Sequence, residues 1–182
     1  ENYHLFAVDL VSGKTRDLTP FPGVRAGVVD DLEDVENEIL IDLNQRRPDV
    51  FDVYRLNVTT GEMQMVAENP GNYVGYLTDH EGKVRVAMAK EAEQNLNVLL
   101  YRETEEQEFR PILTTGFKDQ VSPYFFSADN RQLYATSNIG RDRKALVLMD
   151  PATGKETQLL YSHPEVDVGG AGWSRLRKVL TS

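Results

Sequence analysis

The chain has 182 residues, enough to bury a sizeable core either as one domain or as part of a larger repeating one. Its formal net charge of -9 at pH 7 argues against nucleic acid or an anionic membrane surface as partner, since both are met by basic stripes. Cysteine is absent, which excludes disulfides and thiolate sites.

The opening "ENYHLFAVDL" has neither the basic start nor the apolar stretch of a signal peptide, and no apolar run approaches the roughly 18 residues that span a bilayer. It reads as the middle of a strand, so the expectation is a piece of a longer protein. No compartment follows, and bacterial cytoplasm and periplasm both stay open.

In chain order, the first recognisable element is the phrase "DLVSGKTRDL" (9–18), which returns as "NVTTGEMQMV" (57–66) and "MDPATGKETQLL" (149–160). The interval from Gly13 to Gly61 sets a period of about 48 residues, the size that marks a repeat architecture. Gly154 falls slightly short of two further periods, as drift in loop length would make it. A second series keeps the interval throughout: Val29, Leu77, Phe125 and Trp173 lie one period apart in "AGVVDD", "VGYLTD", "SPYFFS" and "GAGWSR".

Each period reads as four short strands. In the last complete copy these are "VSPYFFS", "QLYATSN", "KALVLMD" and "KETQLLY", separated by Asn, Asp, Gly and Pro punctuation. Ile39, Ile41 and Leu43 alternate, as do Val84, Val86 and Met88, with the period of two that a pleated strand requires. The repeated phrase is then the hairpin between third and fourth strands, with Gly13, Gly61 and Gly154 as structural turn residues at positive φ. Helix formers in "AMAKEAEQNL" (87–96) and the spacing of Leu32, Val35 and Ile39 disagree locally. The repeat register outweighs them, leaving room for a helical turn around Asp34.

The fold class is therefore all-β, a β-propeller fragment of four-stranded antiparallel blades. The expected parts are an outer half-blade at 3–19, blades at 24–67, 73–113 and 121–161, and an inner half-blade at 168–182. The half-blades add up to one blade, which pairing within the chain or between two copies in a homodimer would complete.

The stretch "FFSADNRQLYATSN" followed by "ALVLMDPATGKETQL" resembles the TolB/WD40-like propeller repeat. Ser127, Ala128, Asp129 and Asn130 stand where that repeat has Ser-Pro-Asp-Gly, so this half of the motif is degraded. The opening "NYHLFAVDLVSGKTRDLTPFPGVRA" and the run from "DVFDVYRLNVTTGE" resemble the N-terminal propeller of prolyl oligopeptidase family serine peptidases, the group of acylaminoacyl peptidases and dipeptidyl aminopeptidases. That resemblance covers essentially the whole chain. It implies a C-terminal α/β-hydrolase domain as partner, carrying Ser, Asp and His, and a propeller that restricts entry to short peptide substrates.

No catalytic residue, metal site or cofactor is assigned to this chain. The nucleophile elbow G-x-S-x-G does not occur; Gly170-Ala171-Gly172-Trp173-Ser174 has the wrong spacing and falls in an inner strand. His4, His80 and His163 are isolated from any metal-like spacing. Glu103, Glu105, Glu106 and Glu108 form an acidic cluster; the resembled dipeptidyl-peptidase branch grips the substrate amine with paired glutamates, but a hairpin turn of solvated charge is the simpler reading. Asn57-Val58-Thr59 is read as a chance sequon.

Charge divides by connection. First-to-second and third-to-fourth connections hold 14 acids against 7 bases, while second-to-third and blade-to-blade connections hold 8 of each. Arg46, Arg47, Arg141 and Arg143 belong to the neutral set, which makes that set the candidate face for the partner domain or substrate, guanidinium being suited to carboxylates. The leading reading is a non-catalytic gating domain of a serine peptidase. A TolB-like protein-binding scaffold without enzymatic activity is the alternative, and a self-standing propeller hydrolase or lyase ranks last because the sequence offers no convergent set of carboxylates or histidines.

Overall fold

The computed structural model describes residues 3–33, 35–174 and 176–181. All regular structure among them is β-strand, divided between two compact units, residues 1–72 and 73–182.

In the first unit, β1 (Phe6–Val8) and β2 (Thr15–Asp17) form a two-stranded sheet. Then β3 (Ala26–Asp30), β4 (Glu38–Arg47), β5 (Val50–Asn57) and β6 (Met63–Ala67) follow one another as an antiparallel meander. Alternation along β4 sends Ile41 and Leu43 inward, where they join Leu18, Val24, Tyr54 and Leu56; Ala7 and Phe21 cover this cluster from the β1–β2 side. Each fully buried aliphatic side chain of this kind contributes about 1.5–3 kcal/mol.

The second unit begins with β7 (Tyr73–Thr78), β8 (Val84–Glu91), β9 (Leu96–Tyr101) and β10 (Arg110–Thr115), again a meander. A second four-stranded sheet follows, of β11 (Val121–Phe126), β12 (Leu133–Ser137), β13 (Ala145–Met149) and β14 (Glu156–Tyr161). The pair β15 (Gly172–Ser174) and β16 (Val179–Thr181) ends it. Val86, Leu99 and Tyr101 of one sheet and Phe126, Leu133, Val147 and Met149 of the next share one core, so neither sheet buries its apolar face alone. Trp173 extends that layer: its ring lies 5.7 Å from Phe125, its counterpart one period earlier, and 5.3 Å from His80.

The three repeated turns share one hydrogen-bond set. In each, an Asx side chain four residues before the glycine accepts backbone amides: Asp9 Oδ1 from Val11 and Ser12, Asn57 Oδ1 from Thr59 and Thr60, Asp150 Oδ1 from Ala152. The carbonyls of Asp9, Asn57 and Asp150 accept from Gly13, Gly61 and Gly154, each at 2.8 Å. The glycines take φ of 70°, 81° and 68°, where an L side chain meets the carbonyl. Asn130, at φ 57°, does what glycine does in the complete Ser-Pro-Asp-Gly turn, because Asn tolerates the left-handed region. Its Oδ1 accepts from the His80 amide at 2.9 Å, tying two sheets together.

Both stretches with helical character are non-helical. Residues 84–91 pair on both sides as β8, and Asn95 at φ 51° starts the return. Between β3 and β4 the chain turns through Leu32 (φ 48°) and Asn37 (φ 63°), left-handed residues that interrupt any helix; Asp34 itself lies outside the described residues. Leu32 holds this conformation because its side chain is buried and its amide donates to Asp30 Oδ1 at 2.9 Å.

Candidate functional site

The four arginines of the candidate face stand at second-to-third connections, Arg46 and Arg47 where β4 turns into β5, Arg141 and Arg143 between β12 and β13. Three of them are engaged within the chain. Arg46 forks onto the fully buried Asp52 carboxylate (Nε–Oδ2 2.9 Å, Nη2–Oδ1 2.8 Å) and donates to the Asn69 carbonyl; Asn69 N–H completes the cage at Asp52 Oδ1. The hydrogen bonds to Asp52 raise the Arg46 pKa, fixing it as a cation. Arg141 makes a bidentate pair with Glu156, which holds that carboxyl below its usual range. Arg47 meets Asp49 at 2.9 Å on the surface. Arg143 is exposed and makes no ion pair among the described residues.

Next to this loop the Asn138 side chain accepts the Gln120 amide and donates to the Lys118 carbonyl, so the β12–β13 and β10–β11 connections are held together. Phe117, in that second connection, is exposed, with Lys118 Nζ 5.9 Å from its ring centroid. Beside it opens a groove of about 760 Å³ with an apolar lining from Val74, Met88, Leu99, Leu113 and Val121 and amides of Asn95, Asn97 and Gln120.

At the opposite strand ends the acidic cluster is a counter-charge. Arg85 and Arg102, both buried, cross between β8 and β9: Arg85 Nε donates to the Arg102 carbonyl at 3.0 Å and Arg102 Nε to the Val84 carbonyl at 2.8 Å. Arg85 pairs with buried Asp79 at 3.0 Å and with Glu103 at 3.3 Å, and donates to the Tyr101 hydroxyl, which itself donates to Glu103 at 2.6 Å. Burial works against the Arg85 charge, but hydrogen bonds to Tyr101 and Asp79 outweigh it and its pKa rises. Burial lowers Arg102, with Glu105, Glu108 and Glu106 opposing. Desolvation and the Glu103 contact push Tyr101 up to about 12. Glu105 Oε1 also accepts the Val84 amide at 3.0 Å. Glu103 and Glu105 are thereby committed to their own sheet.

The histidines serve the fold: His4 Nδ1 meets Asp17 at 2.7 Å, His80 Nε2 lies 3.0 Å from the Phe126 carbonyl, and His163 Nδ1 accepts from Glu165 and Val166. Among the described residues no group of three His, Asp or Glu side chains could hold a metal. Ser174 sits in the β15–β16 hairpin, its carbonyl accepting from Lys178 at 2.7 Å and its hydroxyl from Arg177 at 3.3 Å. Asn57 spends its carbonyl oxygen inside the turn.

No family model matches the chain. It is 31% identical over 176 residues to dipeptidyl aminopeptidase BIII of Pseudoxanthomonas mexicana, a match covering 93% of this chain and 24% of that protein. The chain thus spans about a quarter of the length of the curated relative it matches. Among solved structures, a prolyl endopeptidase superposes with a TM-score of 0.59 at 9% identity, over 86% of this chain and 22% of that one. TolB from Acinetobacter baumannii gives 0.53 at 14%, over 94% and 40%. Oligogalacturonate lyase from Vibrio parahaemolyticus gives 0.51 at 14%, over 86% and 46%. At such identities the structures speak to fold alone, and the fold is the propeller. By sequence along nearly its whole length, and by fold, the chain is a β-propeller segment related to the dipeptidyl aminopeptidases of the prolyl oligopeptidase family.

Proposed function

We propose that this chain is the non-catalytic propeller part of a serine peptidase of that family and that it restricts access of substrate to short peptides. The observation that carries the reading is the match of 93% of the chain to a quarter-length stretch of a dipeptidyl aminopeptidase, together with the absence of a G-x-S-x-G elbow from the sequence. Nucleophile, base and oxyanion hole come from a partner α/β-hydrolase domain. The contact to that domain uses second-to-third and blade-to-blade connections. In the second unit Arg143 and Phe117 supply it; in the first unit Arg47 does, because its surface pair with Asp49 is easily exchanged. Arg46 and Arg141 each brace the connection of their own unit from within.

The test is to extend the reading frame beyond Ser182 and assay the whole polypeptide on dipeptidyl arylamides and on a ten-residue peptide. A downstream G-x-S-x-G with later Asp and His, and an Arg143→Glu/Phe117→Ser variant that gains activity on the longer peptide relative to the dipeptide, are expected. Absence of any hydrolase sequence overturns the reading. It would leave a TolB-like binding scaffold, which the superposition on TolB over 94% of the chain favours as second choice.

A further inference from the structure

The groove beside Phe117 has walls from two four-stranded sheets, β7–β10 and β11–β14. Register orders its floor. Met88, Leu99 and Leu113 lie opposite one another on β8, β9 and β10, and two residues further along the same strands Lys90, Asn97 and Thr115 do so again. Residues two apart share a face of the sheet, so an apolar row is followed at about 7 Å by a polar one. Val121 of β11, with Gln120 and Phe117 of the connection before it, also lines the groove.

Two departures from a regular strand shape this floor. In β7, Tyr73 and Gly75 lie opposite the consecutive residues Ala89 and Met88, and the extra residue of this bulge, Val74, lines the groove at 60% exposure. Gly75 beside it has no side chain, and Met88 fills that room: a Cβ there would come 2.8 Å from the Met88 Cε. An unbranched thioether so placed adapts to what enters. The lining is also neutral among the described residues, Lys90 offset by Glu91 with no other charge, in a chain of net charge -9. Most of its remaining polarity is side-chain amide. Asn95, Asn97 and Gln120 are exposed, and their side chains have no hydrogen-bond partner among the described residues. Each amide offers two donors and an acceptor.

We infer that this groove is a binding site for an uncharged, extended peptide segment, whose apolar side chain sits on Met88, Leu99 and Leu113 while its peptide groups bond to Asn95, Asn97 and Gln120. Every peptide group presents a donor and an acceptor, which side-chain amides match. A fatty acyl chain would leave those amides unpaired, and a phosphate or free carboxylate finds no cation in excess. The volume of about 760 Å³ suits a small ligand rather than a folded partner. The inference stands whether or not a hydrolase domain follows in the same polypeptide.

Titration of the chain with N-acetyl-Ala-Leu-Ala-amide, followed in nitrogen–proton correlation spectra, tests this. Half-saturation is expected below about 1 mM, with the shifted amides confined to residues lining the groove. Asn97→Ala should weaken binding about fivefold, and Asn97→Trp, which fills the groove from an exposed position, should abolish it, each with an unchanged circular dichroism spectrum. Aspartate in place of the leucine of the peptide should weaken binding about tenfold. Shifts that fail to saturate, that lie away from the groove, that persist in both Asn97 variants or that the aspartate peptide matches would each overturn the inference. Displacement of the peptide by an equal concentration of decanoate would overturn it too, in favour of an acyl chain. The sequence downstream of Ser182 has no bearing on these results, so this inference and the peptidase reading fail separately.

Discussion

Replacing each turn glycine by alanine separates the cost of backbone conformation from that of packing. Gly61 and Gly154 have φ of 81° and 68° and the same hydrogen bonds to the Asx residue four positions back. The left-handed conformation costs an L residue about 1–2 kcal/mol, and the lost flexibility of the unfolded chain returns about 0.4–1, so Gly61→Ala should cost about 1 kcal/mol. Nothing lies within 4 Å of a Cβ at Gly61, whereas one at Gly154 meets Ile112 O at 2.6 Å, a backbone atom that cannot swing away. That overlap adds about 1–3 kcal/mol, for a total near 3. In urea unfolding followed by the single tryptophan, Trp173, Gly154→Ala should lower the midpoint by about 1 M, taking a slope of about 2.5 kcal/mol per molar. Gly61→Ala, followed by circular dichroism, should lower its unit's midpoint by less than half of that. Equal effects at the two sites would show that the 154 turn does not rest on β10, and would refute the reasoning.

Asn130→Gly should keep the turn and lose only the bond to the His80 amide, about 1 kcal/mol, while Asn130→Ala loses both and costs about 2; urea midpoints would rank them. Phe126→Ala empties a fully buried site under the Arg85 guanidinium and should cost about 3–5 kcal/mol, read by the same assay. The Tyr101 hydroxyl titrates at about 12 in the folded chain and near 10 when unfolded, so the folded state holds its proton more tightly. Its contribution is therefore complete below about pH 10 and lost as pH rises towards 12, and the fall in Tm across that window should be smaller in Tyr101→Phe than in the parent.

The strands and turns were legible because they rest on local rules: alternation along β4 and β8, and a glycine at the positive-φ position of each repeated turn. The Asx residue four positions before each glycine is equally visible in the repeated phrase, and so is the capacity of Asn130 to stand for glycine. The acidic cluster is legible as a turn, but its role is not. Arg85 and Arg102 lie on opposite sides of the β8–β9 hairpin and become neighbours only through its register.

The same holds for the arginine face. Composition by connection picked out Arg46 and Arg141, but their partners Asp52, Asn69 and Glu156 are chosen by strand pairing, and no spacing rule announces them. The groove beside Phe117 likewise exists only where β8, β9, β10 and β11 come together. Sequence alone determined the period, the strand type and the turn chemistry, because those depend on residues near one another along the chain. Tertiary structure alone decided which charges are spent inside and which stay available, because a guanidinium is neutralised by whatever carboxylate the register brings within about 3 Å.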